Sequence, residues 1–463
     1  MEASRSRSWM TWATHVLLWI FGMSWAFDFK ADVHGGEGGS AAQVLFLGLS
    51  VGAGAAAMAL NARLLLVKPG VWLLLLWWGF LAYITASTLA QGVPAGHFLR
   101  VLFPYLMIGL GIGVAHVAAC RGIRPLQIVT PIIVAGCVNI LWRIFYGFAF
   151  KGATLETARM EVFSPAMNPL FAYVGAALLL RPKFHWVNLL VAAIAMLGVF
   201  VTVTRGLLFP MTVSALLGLG CFALGLGWRV FHTRQIPQKL AVIGISAVFG
   251  LAVIGVVYAV SPVLIERWTE RLFHKAGGGQ TSADLSWLTR EAEAKAMFDI
   301  LSRDPLHFIC GKGMGAAYYW DASYWPELYT VYPLDTDFSA DIWFNGHSVW
   351  TYTIFSGGII GLLFHLGLFG GACWHGLRAV RLRSGRADEE TWLGFLPVFT
   401  VCCLLSESFT SNQLAERLTG VMLGIAAGLP QALYMARRAP RYFYAMPPAP
   451  AAVSAAPSPA HAH

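Results

Sequence analysis

Charge is scarce in this chain. Only 12% of its 463 residues are Asp, Glu, Lys or Arg, against 57% hydrophobic. A soluble globular protein devotes about a quarter of its residues to charge, so a wholly water-exposed fold does not fit. Paired cysteine chemistry is also missing. Of seven cysteines, all but Cys310 fall in or beside apolar runs, and no Cys/His spacing of a metal site occurs. A disulfide framework and a structural metal are therefore not expected, and the spacing of His347 and His365 does not suit a metal either. The net charge is +9, yet the cations form no basic domain, so nucleic acid is not the expected partner. No A-x-A-like cleavage site follows the first apolar stretch: Phe27 runs into Asp28-Phe29-Lys30. That stretch reads as an uncleaved first transmembrane helix, despite Arg5 and Arg7 before it. The nucleotide loop GxxxxGK[ST] is absent, and Gly311-Lys312-Gly313-x-Gly315 lacks its spacing.

What is present is a succession of apolar runs long enough to cross a bilayer, with mean hydropathy +0.63. About twelve spans are expected, near 10–27, 41–60, 70–89, 99–119, 126–148, 166–180, 186–204, 207–227, 240–260, 347–372, 391–405 and 417–435. The predicted fold is an all-α polytopic membrane protein. Residues 1–260 hold spans one to nine, 261–346 form one large hydrophilic loop, 347–440 hold the last three spans, and 441–463 form a Pro/Ala-rich disordered tail. Cations alternate between connections. Arg63 and Lys68, Arg121 and Arg124, Arg181 and Lys183, and Arg378 to Arg386 share one side. The other side carries Lys30, Arg100, Lys151, Arg159, Arg205 and Arg417, spread thinly. By the positive-inside rule the first set is cytoplasmic, as are both termini, and the loop faces the opposite compartment. Within that loop Ser286 to Ser302 reads as a helix, capped by Asp284 or Ser286 and stopped at Asp304-Pro305. Its apolar stripe is Trp287, Ala294, Met297 and Leu301, with Arg290 on the same stripe. A second loop helix begins near Pro262. Tyr318 to Tyr332 is rich in Tyr and Trp, which suits a membrane interface or a sugar-stacking surface.

Three features on the non-cytoplasmic side can carry chemistry. Thr202-Val203-Thr204-Arg205-Gly206 joins two spans, Arg290 lies on the loop helix, and His347 opens the tenth span. Two arginines suit a diphosphate, because guanidinium binds phosphate oxygens as a fork and keeps its charge. A histidine suits the removal of a hydroxyl proton. Asn345 is the expected helix cap, with His347 in the first turn, where the helix dipole disfavours imidazolium. In helical projection Gly358 lies about 20° from His347 and Gly361 about 40°. With Gly357-x-x-x-Gly361 they predict a close helix contact on the imidazole face. Plainer readings stand beside these. Arg205 can snorkel to the interface, Arg290 can pair with Glu291, Glu293 or a lipid phosphate, and His347 can be a structural hydrogen-bonder. Arg143 and Arg159 are weaker candidates for the same anionic pocket. Arg143 can instead bond backbone carbonyls or a carboxylate within the bundle.

The pattern Thr-x-Thr-Arg-Gly at 202–206, then Arg290 with Asp304-Pro305 and Gly311-Lys312-Gly313, then His347-Ser348-x9-Gly358-x2-Gly361, resembles the O-antigen ligase and polymerase superfamily. The resemblance covers roughly 195–372. It implies a bacterial inner-membrane glycosyltransferase with its site facing the periplasm. The donor is then a glycan on undecaprenyl diphosphate, and the acceptor is lipid A–core or another carrier-linked glycan. The resemblance further implies that Arg205 and Arg290 grip the diphosphate and His347 activates the acceptor hydroxyl, with no cofactor and no metal. It leans to the ligase and leaves polysaccharide polymerase open. The rival of another class is a transporter of the same anionic lipid, which would need the arginines but no base.

Overall fold

The computed structural model describes residues 2–29, 41–154, 157–273, 285–319, 324, 343–385 and 388–438. Regular structure among the described residues is helical, apart from one isolated antiparallel bridge between Tyr318 and Trp343. In chain order the α-helices are α1 (Glu2–Met23), α2 (Ala41–Leu60), α3 (Val71–Ala90), α4 (Ala95–Cys120), α5 (Pro125–Ala149), α6 (Ala158–Glu161), α7 (Met167–Leu180), α8 (Trp186–Thr202), α9 (Leu208–Gly227) and α10 (Ile236–Val260). They continue as α11 (Pro262–Phe273), α12 (Leu285–Ser302), α13 (Pro305–Cys310), α14 (Val349–Arg381), α15 (Leu396–Glu407), α16 (Arg417–Gly428) and α17 (Pro430–Arg438).

Helices occupy each of the expected apolar segments, and among the described residues eight, α1 not included, are long and apolar enough to cross a membrane. Those at 167–180, 186–202 and 391–407 are shorter apolar helices. At 1.5 Å per residue, the 14 residues of α7 reach about 21 Å, less than the hydrocarbon thickness of about 30 Å. The expected Tyr/Trp-rich segment is described only at Tyr318, Tyr319 and Tyr324. Its remainder, the proposed cap Asp284 and the tail 441–463 lie outside the described residues.

The tightest helix pair is α4 with α16. Gly420, Gly424 and Gly428 fall four residues apart, on one face of α16. A methyl group on each would lie 2.4 Å from the Pro104 carbonyl oxygen, 2.4 Å from that of Ile108 and 2.7 Å from that of Ile112. Backbone therefore packs on backbone, the way helices associate where water provides no hydrophobic drive. The expected glycine contact on α14 is different. A Cβ on Gly357 would meet only the Ile84 side chain at 3.5 Å, and one on Gly361 would meet Thr353 O at 3.4 Å and Phe80 at 4.0 Å. Neither glycine brings two helix backbones together.

Gly358 does something else. Its φ of 61° and ψ of −161° interrupt α14, in a region that essentially only glycine occupies. The rotation of about 100° per residue from His347 thus stops meaning anything beyond this point. The break frees carbonyls from the helix ladder. Phe355 O accepts from Lys312 N at 2.8 Å, Ser356 O from Gly313 N at 2.9 Å, and Gly357 O from the Tyr83 hydroxyl at 2.9 Å. The Gly311-Lys312-Gly313 turn is thereby a docking clip that ties the hydrophilic loop to α3 and α14. Met314 N adds a bond to Thr88 Oγ1 at 2.9 Å.

The cation-rich connections meet at one end of the bundle. Arg124 pairs with Glu390, Lys183 with Glu389, and Gly385 N reaches Arg229 O at 3.2 Å. The loop helices α11 to α13 belong to the other end. Trp268 of α11 donates to Phe200 O of α8 at 3.4 Å, and Leu264 and Trp268 are buried. From the alternating cations, single cysteines placed at 303 and 388 are expected to label from opposite faces of intact membranes, with 303 accessible from outside. Labelling of both from the same face would reject this orientation.

Candidate functional site

The site is built around a carboxylate. On α12 the buried positions are Leu288, Ala292, Glu293, Ala296, Met297 and Leu301, whereas Trp287 is 56% exposed. The buried face keeps Met297 and Leu301 of the expected stripe but is rotated off Trp287 and Ala294, and it carries Glu293 inward to 1% exposure. An unpaired carboxylate there would cost several kcal/mol. Donors surround it instead. The His347 backbone N–H lies 3.3 Å from Oε1 and 3.2 Å from Oε2, and His347 Nδ1 lies 3.1 Å from Oε1. The Tyr318 hydroxyl donates to Oε1 and sits 3.1 Å from Asn345 O. Burial, and Glu293 beside it, push the Tyr318 phenol far up, so it remains a donor.

His347 is not in the first turn of its helix. Ser348 is the N-cap, with Oγ accepting from Thr351 N at 3.5 Å, and Asn345 instead accepts from Asn412 Nδ2 at 3.3 Å. The helix dipole acts within the helix's own terminal turn, so Glu293 orients this imidazole. A carboxylate at Nδ1 assigns the proton to that nitrogen and leaves Nε2 as the acceptor. The His347 side chain is 36% exposed against 1% for Glu293, so the imidazole faces outward and the carboxylate is sealed behind it. The Trp343 ring flanks it at 5.5 Å between centroids.

Arg290 lies one turn before Glu293 on α12. Its Nε donates to Thr410 O at 3.1 Å. Burial pulls its pKa below the usual guanidinium value, with Glu293 opposing, and an arginine stays charged nonetheless. Arg290 and His347 are thus brought together about Glu293. Both also lean on the connection after α15: Ser348 Oγ donates to Ser408 O at 3.2 Å, Val349 N to the same oxygen at 2.9 Å, and Trp350 Nε1 to Ser408 Oγ at 2.7 Å.

The turn that carries Arg205 comes up to this connection at Gly206. Val203 ends α8 with φ 46°, a strained setting for a β-branched residue, and packing at 4% exposure holds it there. The chain then turns through a 3-10 segment, Arg205–Leu207. A Cβ on Gly206 would sit 3.4 Å from Glu407 Oε1, and Glu407 immediately precedes Ser408.

Arg143 is placed elsewhere. It is 5% exposed, its Nε faces Asp28 O at 3.3 Å, its Nη1 donates to Phe163 O, and it pairs with Asp28 at 3.7 Å. It does what the plainer reading allowed, tying α1 to α5 and the segment before α7. Arg159 lies on α6, and its side chain lies outside the described residues. Gly358 shapes the site through the docking clip, and Gly361 makes no close contact. Among the described residues no group of three metal-ligating side chains occurs.

Sequence reasoning weighed Glu293 only as a partner for Arg290 and passed over 407–413 entirely. A signal existed in each case. Glu293 follows Arg290 by one helical turn, and Glu407-Ser-Phe-Thr-Ser-Asn-Gln413 packs polar side chains densely into a short connection. Counting cations does not detect a segment that holds none. Compared with models of protein families and with curated proteins, the chain matches none.

Proposed function

We propose that this chain is an inner-membrane glycosyltransferase, with its site on the periplasmic face. It moves a glycan as a block from undecaprenyl diphosphate to an acceptor hydroxyl. The observation that carries this reading is the outward-facing His347, seated on buried Glu293 with Arg290 one turn away. In the reaction the acceptor oxygen bonds to the anomeric carbon as the bond from that carbon to the diphosphate breaks. The diphosphate leaves with the electron pair, and His347 Nε2 takes the acceptor's proton. Glu293 holds the ring and balances the charge it gains. Arg290 and Arg205 oppose the charge growing on the departing diphosphate. Direct displacement inverts the anomeric centre. The leaving group brings its own activation, so the chemistry calls on no nucleotide or metal. We favour lipid A–core as acceptor, which makes the protein an O-antigen ligase. A carrier-linked glycan as acceptor would make it a polymerase by the same chemistry.

The test is transfer by purified protein from a polyprenyl-diphosphate-linked oligosaccharide, offered both acceptors, with and without EDTA. Arg290→Ala is expected to fold and to lower turnover by about two to three orders of magnitude, as loss of a charge-assisted bond to a developing anion does. Arg290→Lys recovers part, since charge returns without the fork. Near-normal rates in both Arg205→Ala and Arg290→Ala would rule out the diphosphate role. Wild type inactive with both acceptors would rule out the reading.

A further inference from the structure

Glu407 ends an apolar helix, is 5% exposed, and makes no ion pair among the described residues. A buried carboxylate without a cation is costly and in a membrane protein marks function. One of its oxygens is occupied: Oε2 accepts from Gln413 Nε2 at 2.7 Å and from Asn168 Nδ2 at 3.2 Å. Asn168 is itself fixed, donating also to Cys403 O at 3.0 Å. These bonds lock the carboxylate's orientation. The other oxygen, Oε1, accepts no hydrogen bond from the described residues and faces Gly206, whose Cβ, were there one, would lie 3.4 Å away. Two buried amide oxygens of the same connection, Asn412 Oδ1 and Gln413 Oε1, also lack donors. Glu407 Oε1 and these two amide oxygens are thus acceptors without a donor among the described residues. A sugar, whose hydroxyls all donate, has the complementary chemistry.

We propose that Glu407 is a substrate-contacting residue whose Oε1 accepts a hydrogen bond from a sugar hydroxyl of the transferred glycan, between the Arg205 turn and the connection that anchors the His347 helix. This rests on the glycosyltransferase reading and adds to it the residue that recognises the glycan rather than its diphosphate.

The decisive variant is Glu407→Gln. Its amide oxygen still serves Asn168 and Gln413, while an N–H₂ replaces the acceptor that faces Gly206. In purified protein the KM for the polyprenyl-diphosphate-linked oligosaccharide should rise roughly 10-fold, the upper range for loss of one hydrogen bond. The acceptor KM should stay unchanged. So should inhibition by undecaprenyl diphosphate that carries no glycan, because the diphosphate contacts remain. Should Glu407→Gln fail to fold, Gly206→Val fills the space before Oε1 and should give the same pattern. Wild-type kinetics would overturn the proposal. So would a fall in kcat with both KM values unchanged, which a merely structural carboxylate would produce, or an equal loss of inhibition by the bare diphosphate. An inactive wild type would instead overturn the underlying function.

Discussion

His347→Gln is expected to be as inactive as His347→Ala, with transfer lowered by about two to four orders of magnitude, the usual contribution of a positioned base. Glutamine keeps a hydrogen bond to Glu293 and much of the ring's volume, so a structural histidine would tolerate it. It cannot accept a proton near neutral pH, so a base would not. Donor binding should survive if, as proposed, the arginines hold the diphosphate. Glu293→Gln belongs to the same experiment. It removes the charge behind Nδ1 and no longer favours the tautomer with Nε2 free, so kcat should drop with KM little changed. A Gln variant at 347 with more than a tenth of wild-type turnover would end the base assignment.

The second large effect is expected at two adjacent glycines with opposite outcomes. Gly358→Ala should destabilise the protein by several kcal/mol. Its backbone conformation costs a side chain about 1–3 kcal/mol by itself, and the added methyl would lie 2.2 Å from Ile309 O. Relief requires α13 to lift from α14, which breaks the clip at Lys312 and Gly313 and loosens the loop that carries Arg290 and Glu293. Gly357→Ala meets only Ile84 at 3.5 Å, an ordinary contact, and should behave as wild type. Thermal unfolding of both variants in detergent, with protease sensitivity of the 261–346 loop, measures the contrast. Equal stability of the two would show that the helix break is not what docks the loop.

Composition and periodicity alone pointed to an all-α chain with repeated apolar segments, a helix from Ser286 to Ser302 and another beginning near Pro262; the described residues are helical, with helices at Leu285–Ser302 and Pro262–Phe273. Those properties are local. A run's hydropathy, a proline that begins or ends a helix, and the placement of cations between runs need no knowledge of partners. His347, Arg205 and Arg290 stood out as candidates, because a polar residue bordering an apolar segment is conspicuous by its cost. Other features were decided only by the tertiary structure. The cap at Ser348 rather than Asn345 depends on Ser408, 60 residues away. The burial of Glu293 depends on donors from Tyr318 and His347, neither near it in sequence. Gly358 looks like any helical packing glycine until the Gly311-Lys312-Gly313 turn arrives to donate its N–H groups to the freed carbonyls of Phe355 and Ser356. Arg143, equally conspicuous in its span, is taken up by Asp28 and the Phe163 carbonyl. A side chain's chemistry is set by its partners, and here they come from segments far apart in the chain, where no spacing rule reaches.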